Sequence, residues 1–249
     1  MAIWVIYFII GSIGGFSTGL LGIGGGVIMI PMLTQFGQIS IRSAVTVSLL
    51  FVIVSSFSGL QIHLKMRNID ISTGIWLCTS SIVGALLGVM IAPIFSDYHL
   101  KVLFSGIVLI AAVMLIINIP ESCIDAPDYK LKKIIAVIIG FIKGIFTGML
   151  GIGAGFILVP SMICLMKVPV RKAIGTSLLV TLISGIFAVI GKIALHEVLS
   201  VEMYWILFGA IPCSFLGGWL TGKIEPKLLK MFLFVLLVSI FFVNTFNNI

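Results

Sequence analysis

Apolar residues run along this chain in ten blocks, separated by short polar stretches that hold nearly all of its charge. The blocks cover roughly residues 2–21, 26–36, 43–62, 71–93 and 100–119, then 134–150, 155–166, 173–191, 203–222 and 229–246. No charged residue occurs in 1–41, 71–96, 102–120, 144–166, 173–191, 203–222 or 231–249. Uncharged apolar runs of about 18 residues or more are long enough to cross a bilayer as helices. Four of each five blocks meet that length. The second of each five has about a dozen residues and spans only about 18 Å as a helix. The pattern predicts an all-α polytopic membrane protein in which two short segments are thin crossings or halves of broken helices.

Composition agrees. Of the 249 residues 60% are apolar and 9% charged, with a mean hydropathy of +1.31. A soluble domain has about 45–50% apolar and about 25% charged residues, so a soluble enzyme and a disordered chain are both excluded. The net charge of +7 does not point to nucleic acid, because the basic residues sit in short loops, where they set topology. The first block lacks a basic leader and a clean cleavage site, so a cleaved signal peptide is not expected. Cys78, Cys123, Cys164 and Cys213 form no Cys-x-x-Cys pair, and small packing residues are the expected role. No metal site and no cofactor is expected.

An internal repeat organises the chain. Residues 15–33 (GFSTGLLGIGGGVIMIPML) and 144–162 (GIFTGMLGIGAGFILVPSM) match at 10 of 19 positions with an offset of 129. The register continues without a gap, pairing Gly11 with Gly140, Arg42 with Arg171, Ser48 with Ser177, Ser55 with Ser184 and Trp76 with Trp205. Two homologous halves follow, residues 1–120 and 134–249, of about five apolar segments each. They are joined by a polar linker at 121–133, rich in charge and expected in the cytoplasm.

The basic loops choose between two topologies. If every block changes side, one side carries eleven basic residues (Lys65, Arg67, Lys130, Lys132, Lys133, Lys167, Arg171, Lys172, Lys223, Lys227, Lys230) and the other three (Arg42, Lys101, Lys192). If the short blocks are re-entrant, the split is 8 against 6. The positive-inside rule prefers ten crossings with both termini outside. Five crossings per half would make the halves inverted repeats, a transporter design with its site between the repeats at the membrane midplane.

The two glycine clusters are the candidate chemistry. They are Gly22, Gly24, Gly25 and Gly26 before Pro31, and Gly151, Gly153, Ala154 and Gly155 before Pro160. Such density weakens a helix and permits left-handed backbone, which lipid tolerates only where protein covers it or a cavity runs beside it. A short helix after each cluster would aim free N–H groups and a positive dipole end at the turn, an arrangement that binds anions. Close helix packing competes as an explanation, and Gly15 with Gly19 and Gly144 with Gly148 fit that role. Thr18, Thr46, Ser48, Thr147, Thr176 and Ser177 supply hydroxyls that would either donate to an oxyanion or bond their own helix backbone. Arg42 and Arg171 precede the third block of each half as interfacial anchors or as an anion-recruiting mouth. Lys143 lies within an apolar block and either recruits anions or snorkels to the interface. His63, a candidate proton carrier, is expected in a loop beside Lys65 and Arg67. No catalytic constellation appears, which argues against an enzyme.

The duplicated GxxGIGGGxxxxP segment with Arg-x-Ala-x-x-x-Ser after it resembles the sulfite exporter TauE/SafE family. The residues are Gly19 to Pro31 with Arg42, Ala44 and Ser48, and Gly148 to Pro160 with Arg171, Ala173 and Ser177. The resemblance covers essentially the whole chain. It implies a permease of the prokaryotic cell (inner) membrane for small sulfur-containing anions such as sulfite, thiosulfate or organosulfonates. The expected function is a secondary transporter, working as an exporter by alternating access, with the small anion and the lipid bilayer as partners. An anion channel of the same architecture and an intramembrane assembly factor are the alternatives. Proton coupling and a homo-oligomer are both compatible with the sequence, and nucleic acid is not an expected partner. Ala154 stands where the first motif has Gly25, so the halves need not bind equally.

Overall fold

The structure is a computed structural model that describes residues 3–37, 39–116, 128–194 and 203–246. The first half holds α1 (Ile3–Leu21), α2 (Gly26–Gln35), α3 (Ile41–Lys65), α4 (Ile71–Ile91) and α5 (Asp97–Ile116). The second holds α6 (Tyr129–Leu150), α7 (Gly155–Cys164), α8 (Val170–Ala194), α9 (Met203–Thr221) and α10 (Pro226–Phe246). One short 3₁₀ turn, Ala92–Ile94, leads into α5. No strand occurs among the described residues, and seven of the described helices are long and apolar enough to cross a membrane. The protein is polytopic and all-helical.

Polar caps mark the helix starts at the bundle ends. The Ser40 hydroxyl accepts from Ser43 N–H, the Asp70 carboxylate from Thr73 N–H, and the Asp128 carboxylate from Tyr129 N–H. Each satisfies an amide that the helix leaves free. Because α6 begins at Tyr129, Lys130, Lys132 and Lys133 already belong to its first turns.

The first helix of each half packs on the fourth helix of the other. Gly11, Gly15 and Gly19 of α1 lie against the backbone of Ile206, Ala210 and Ser214 of α9. Gly140, Gly144 and Gly148 of α6 lie against Leu77, Ser81 and Ala85 of α4. The four-residue steps rise together, so each pair is parallel. This is the small-residue packing expected of Gly15, Gly19, Gly144 and Gly148. Between these pairs, α3 and α8 meet in the middle of the molecule.

Contacts near the loops sort them into two ends. The Lys132 ammonium lies 3.1 Å from the Asp70 carboxylate, and Asp70 N–H donates to the Thr176 hydroxyl at 2.8 Å. Met66 packs on Gly222, and Arg171 Nη2 donates to the Ile224 carbonyl at 3.1 Å. The α3–α4 and α9–α10 turns and the starts of α6 and α8 therefore share one end. A cavity lined by Arg42, Ala92, Pro93, Leu100 and Lys192 gathers the start of α3, the α4–α5 turn and the end of α8 at the other. The short helix α7 thus returns the chain to the end where α6 began.

Asp70 ties three elements at the first end. Burial pushes its carboxyl up, but the Thr73 hydroxyl and N–H and the Lys132 ammonium outweigh that and hold it below the ordinary aspartate value. Lys133 and Lys223 lay their ammonium groups over the Trp76 and Trp219 rings at 3.7 and 3.5 Å. Such lysine–tryptophan pairs suit the boundary between lipid and water. Ile75, Met90, Ile110 and Phe208 project outward and are exposed, forming an apolar outer surface.

Candidate functional site

Both glycine clusters break the chain into a helix, a left-handed turn and a short helix. Gly22, Gly24 and Gly25 have φ of 67°, 81° and 63°; Gly151, Gly153 and Ala154 have 66°, 69° and 46°. Gly22 N–H closes α1 onto the Thr18 carbonyl at 2.8 Å, and Gly151 N–H closes α6 onto Thr147 at 2.9 Å. The next helices start at Gly26 and Gly155 behind left-handed caps, Gly25 and Ala154, with no side chain on their first amides. Their positive dipole ends lie in the buried interior. Pro31 and Pro160 fall inside α2 and α7.

The two turns cross each other. A Cβ at Gly26 would come within 2.5 Å of Ile152 Cα, and one at Gly155 would strike the Gly22 carbonyl. Ser48 of the first half donates to the Gly151 carbonyl at 2.8 Å, and Ser177 of the second donates to the Gly22 carbonyl at 2.6 Å. These are repeat mates bonding repeat mates, so each half holds the other half's turn. Ile23 and Ile152 at the centre are fully buried.

The structure divides the remaining candidate hydroxyls. Thr18, Thr46 and Thr147 donate to the carbonyls of Gly14, Arg42 and Lys143, one turn back in their own helices. That is the ordinary behaviour of threonine in an apolar helix. Thr176 does not face the turns; it accepts from Asp70 at the bundle end. Thr181, which no sequence pattern singled out, donates to the Gly153 carbonyl at 3.2 Å.

The basic candidates separate as well. Arg42 is exposed at the mouth of the cavity it shares with Lys192, close to Val45 and Met149 beside the Gly151 turn. Arg171 is anchored to the α9–α10 turn through Ile224. His63 is not in a loop: it lies in the last turn of α3, fully buried. Packing of α3 on α8 near Gly175 accounts for that burial. Neither His63 ring nitrogen makes a hydrogen bond of good geometry among the described residues. His63 and Lys192 are repeat mates, a signal in the sequence that the charge pattern alone concealed. Lys143 does not snorkel. It is fully buried and donates to the Ser184 hydroxyl, with the Val180 carbonyl at 3.5 Å.

YunE of Bacillus subtilis, named a probable membrane transporter protein, is 24% identical over 249 residues, covering 90% of this chain and 89% of its own. MJ0441 of Methanocaldococcus jannaschii carries the same description and is 30% identical over 245 residues, covering 92% of this chain and 89% of its own. YdhB of Bacillus subtilis, also a probable membrane transporter protein, is 25% identical over 94% of this chain and 96% of its own length. The family model for the sulfite exporter TauE/SafE matches residues 7–243. That is a family of membrane transporters rather than enzymes. The chain is a multi-pass membrane transporter that belongs to the sulfite exporter TauE/SafE family.

Proposed function

We propose that this protein is a secondary transporter of small sulfur-containing oxyanions, the class of sulfite, thiosulfate and organosulfonates, working as an exporter. The anion binds between the crossed turns, on backbone N–H groups of Gly24, Gly25, Gly153, Ala154 and Gly155, whereas the Gly26 N–H is taken up by the Gly24 carbonyl at 2.7 Å. Gly22 and Gly151 hinge the turns, and Thr18, Ser48, Thr147 and Ser177 surround them. Arg42 and Arg171 stand at the two ends and draw anions in. The two halves act as inverted repeats that rock about the α3–α8 contact, exposing the turns to one side and then the other. One observation carries this: the reciprocal bonds from Ser48 to Gly151 and from Ser177 to Gly22, which place two helix N-termini at one buried crossing. A dipole end favours anions and repels cations, more strongly at low dielectric than in water.

Purified protein in liposomes tests the carrier. Sulfite, thiosulfate or sulfonate efflux is expected to saturate and to show counterflow, whereas sodium and amines are not carried. Linear flux without counterflow would make it a channel, and carriage of cations alone would remove the anion site.

Topology has its own test. The positive-inside bias puts residues 121–133 in the cytoplasm between repeats 1–120 and 134–249, with both termini outside. A cysteine placed at Asp125 in a background lacking other reactive thiols is expected to resist impermeant maleimide added to intact cells. Strong labelling there would reverse the orientation.

A further inference from the structure

The two halves differ beside their turns, and the difference is coordinated. Lys143 of α6 has Gly14 as its repeat mate, and Val180 of α8 has Phe51. In the first half the Phe51 ring fills the space at Gly14: a Cβ there would lie 2.9 Å from Phe51 Cζ. A Cβ at Gly25 would also strike Phe51 and the Thr18 hydroxyl, so that turn must carry glycine. In the second half the smaller Val180 leaves room, Lys143 enters, and Ala154 is tolerated at the Gly25 position. The neighbours change in step. Cys78 and Ser81 of α4, whose repeat mates are Leu207 and Ala210, lie on the helix packed against α6, Cys78 near Lys143 and the Ser81 backbone against Gly144. The first-half pocket is accordingly apolar, built from Ile10, Met29, Phe51, Val52, Ile206 and Ala210.

The second-half pocket is wired to its turn. The Lys143 ammonium donates to Ser184, the Ser184 hydroxyl to the Thr181 carbonyl at 3.3 Å, and the Thr181 hydroxyl to the Gly153 carbonyl at 3.2 Å. Ser81 Oγ is buried and has no hydrogen-bond partner among the described residues. Lys143 has no carboxylate partner there either; the ion pair described is Lys132 with Asp70, at the bundle end. A buried ammonium held only by neutral groups pays a desolvation penalty of several kcal/mol that a bound anion would offset.

We propose that Lys143, with Ser184 and Ser81, forms the charged half of a single, asymmetric anion site, and that the transported oxyanion is the counterion of Lys143. The inference rests on the anion reading above and adds to it: one anion per chain at the crossed turns, with its charge partner on the second-half side. The first-half counterpart of Lys143, Gly14, is closed by Phe51 and serves as packing.

The test is anion-induced thermal stabilisation of purified protein in detergent, with sodium thiosulfate and sodium methanesulfonate as probes and sodium gluconate as control, and titration calorimetry for stoichiometry. Wild type is expected to bind one anion. Lys143→Met is expected to lose the stabilisation, with affinity falling about 30-fold or more, the scale of removing one partner of a buried charge pair. Without anion it should melt at or above the wild-type temperature, because an uncompensated buried charge is gone. Lys143→Arg should keep part of the response. If Lys143→Met does not accumulate, the triple variant Lys143→Gly, Ala154→Gly, Val180→Phe rebuilds the first half's own packing and should fold without binding. Full anion stabilisation in either variant, or two anions per wild-type chain, would overturn the Lys143 site alone. No anion response in the wild type would overturn the anion reading with it.

Discussion

Gly153→Val and Gly24→Val are expected to abolish transport while leaving folded protein in the membrane. Both residues hold positive φ, 69° and 81°, where a β-branched side chain is strained. That backbone strain costs about 1–3 kcal/mol. Steric crowding adds to it. A Cβ at Gly153 would lie 2.7 Å from Val52 Cγ1 and 2.8 Å from Thr181 Cγ2, whereas one at Gly24 would lie 3.1 Å from Thr181 Cγ2. Overpacking of this kind costs about 1–3 kcal/mol more, within a total stability of about 5–15 kcal/mol. The smaller Gly→Ala substitutions should therefore rank, with Gly153→Ala more damaging than Gly24→Ala. Flux in proteoliposomes, normalised to protein recovered as a single gel-filtration peak, measures both effects. Wild-type flux in either valine variant would take the turns out of the transport path.

Much of this fold was legible because the sequence contains it twice. The short blocks at 26–36 and 155–166 became α2 and α7, Gly26–Gln35 and Gly155–Cys164, bounded by the glycine turns in front. The third blocks ran longer than hydropathy alone suggested. Helix α3 extends from Ile41 to Lys65 and so takes in Arg42 and His63, whose polarity had placed them outside it. Periodicity reports which residues are apolar along one segment; it does not report which segment lies opposite. For that reason the crossing of the two turns, and the bonds from Ser48 and Ser177 to the partner turn, could not be read from the repeat. The same limit misplaced Thr176. It is adjacent in sequence to Ser177, yet the 100° step of a helix sends it to Asp70 instead of Gly22.

The asymmetry of the halves was half visible. Ala154 in place of Gly25 was plain in the motif, but not that Val180, 26 residues on, stands where Phe51 closes on Gly25 in the first half. A substitution in a repeat is interpretable only with the neighbour that changes alongside it. Here Gly14, Gly25 and Phe51 form one packing solution, and Lys143, Ala154 and Val180 form another.

Ser48→Ala and Ser177→Ala are expected to lower stability each by about 1–3 kcal/mol, the scale for leaving a buried carbonyl without its donor. The two hydroxyls sit on different helices, α3 and α8, and their acceptors lie on turns that touch each other. Loosening one turn should thus relax the other, so the double variant should lose less than the sum of the singles. The expected coupling is about 0.5–3 kcal/mol, the range for residues joined through a shared contact. Thermal unfolding of the two single variants and the double variant in one detergent measures it. Thr18→Val is a suitable control, because its hydroxyl bonds its own helix at Gly14 and its loss should leave the cycle unchanged. Strict additivity of Ser48→Ala and Ser177→Ala would mean that the turns bear on each other without sharing energy, and a transport cycle that moves them together would lose its physical basis.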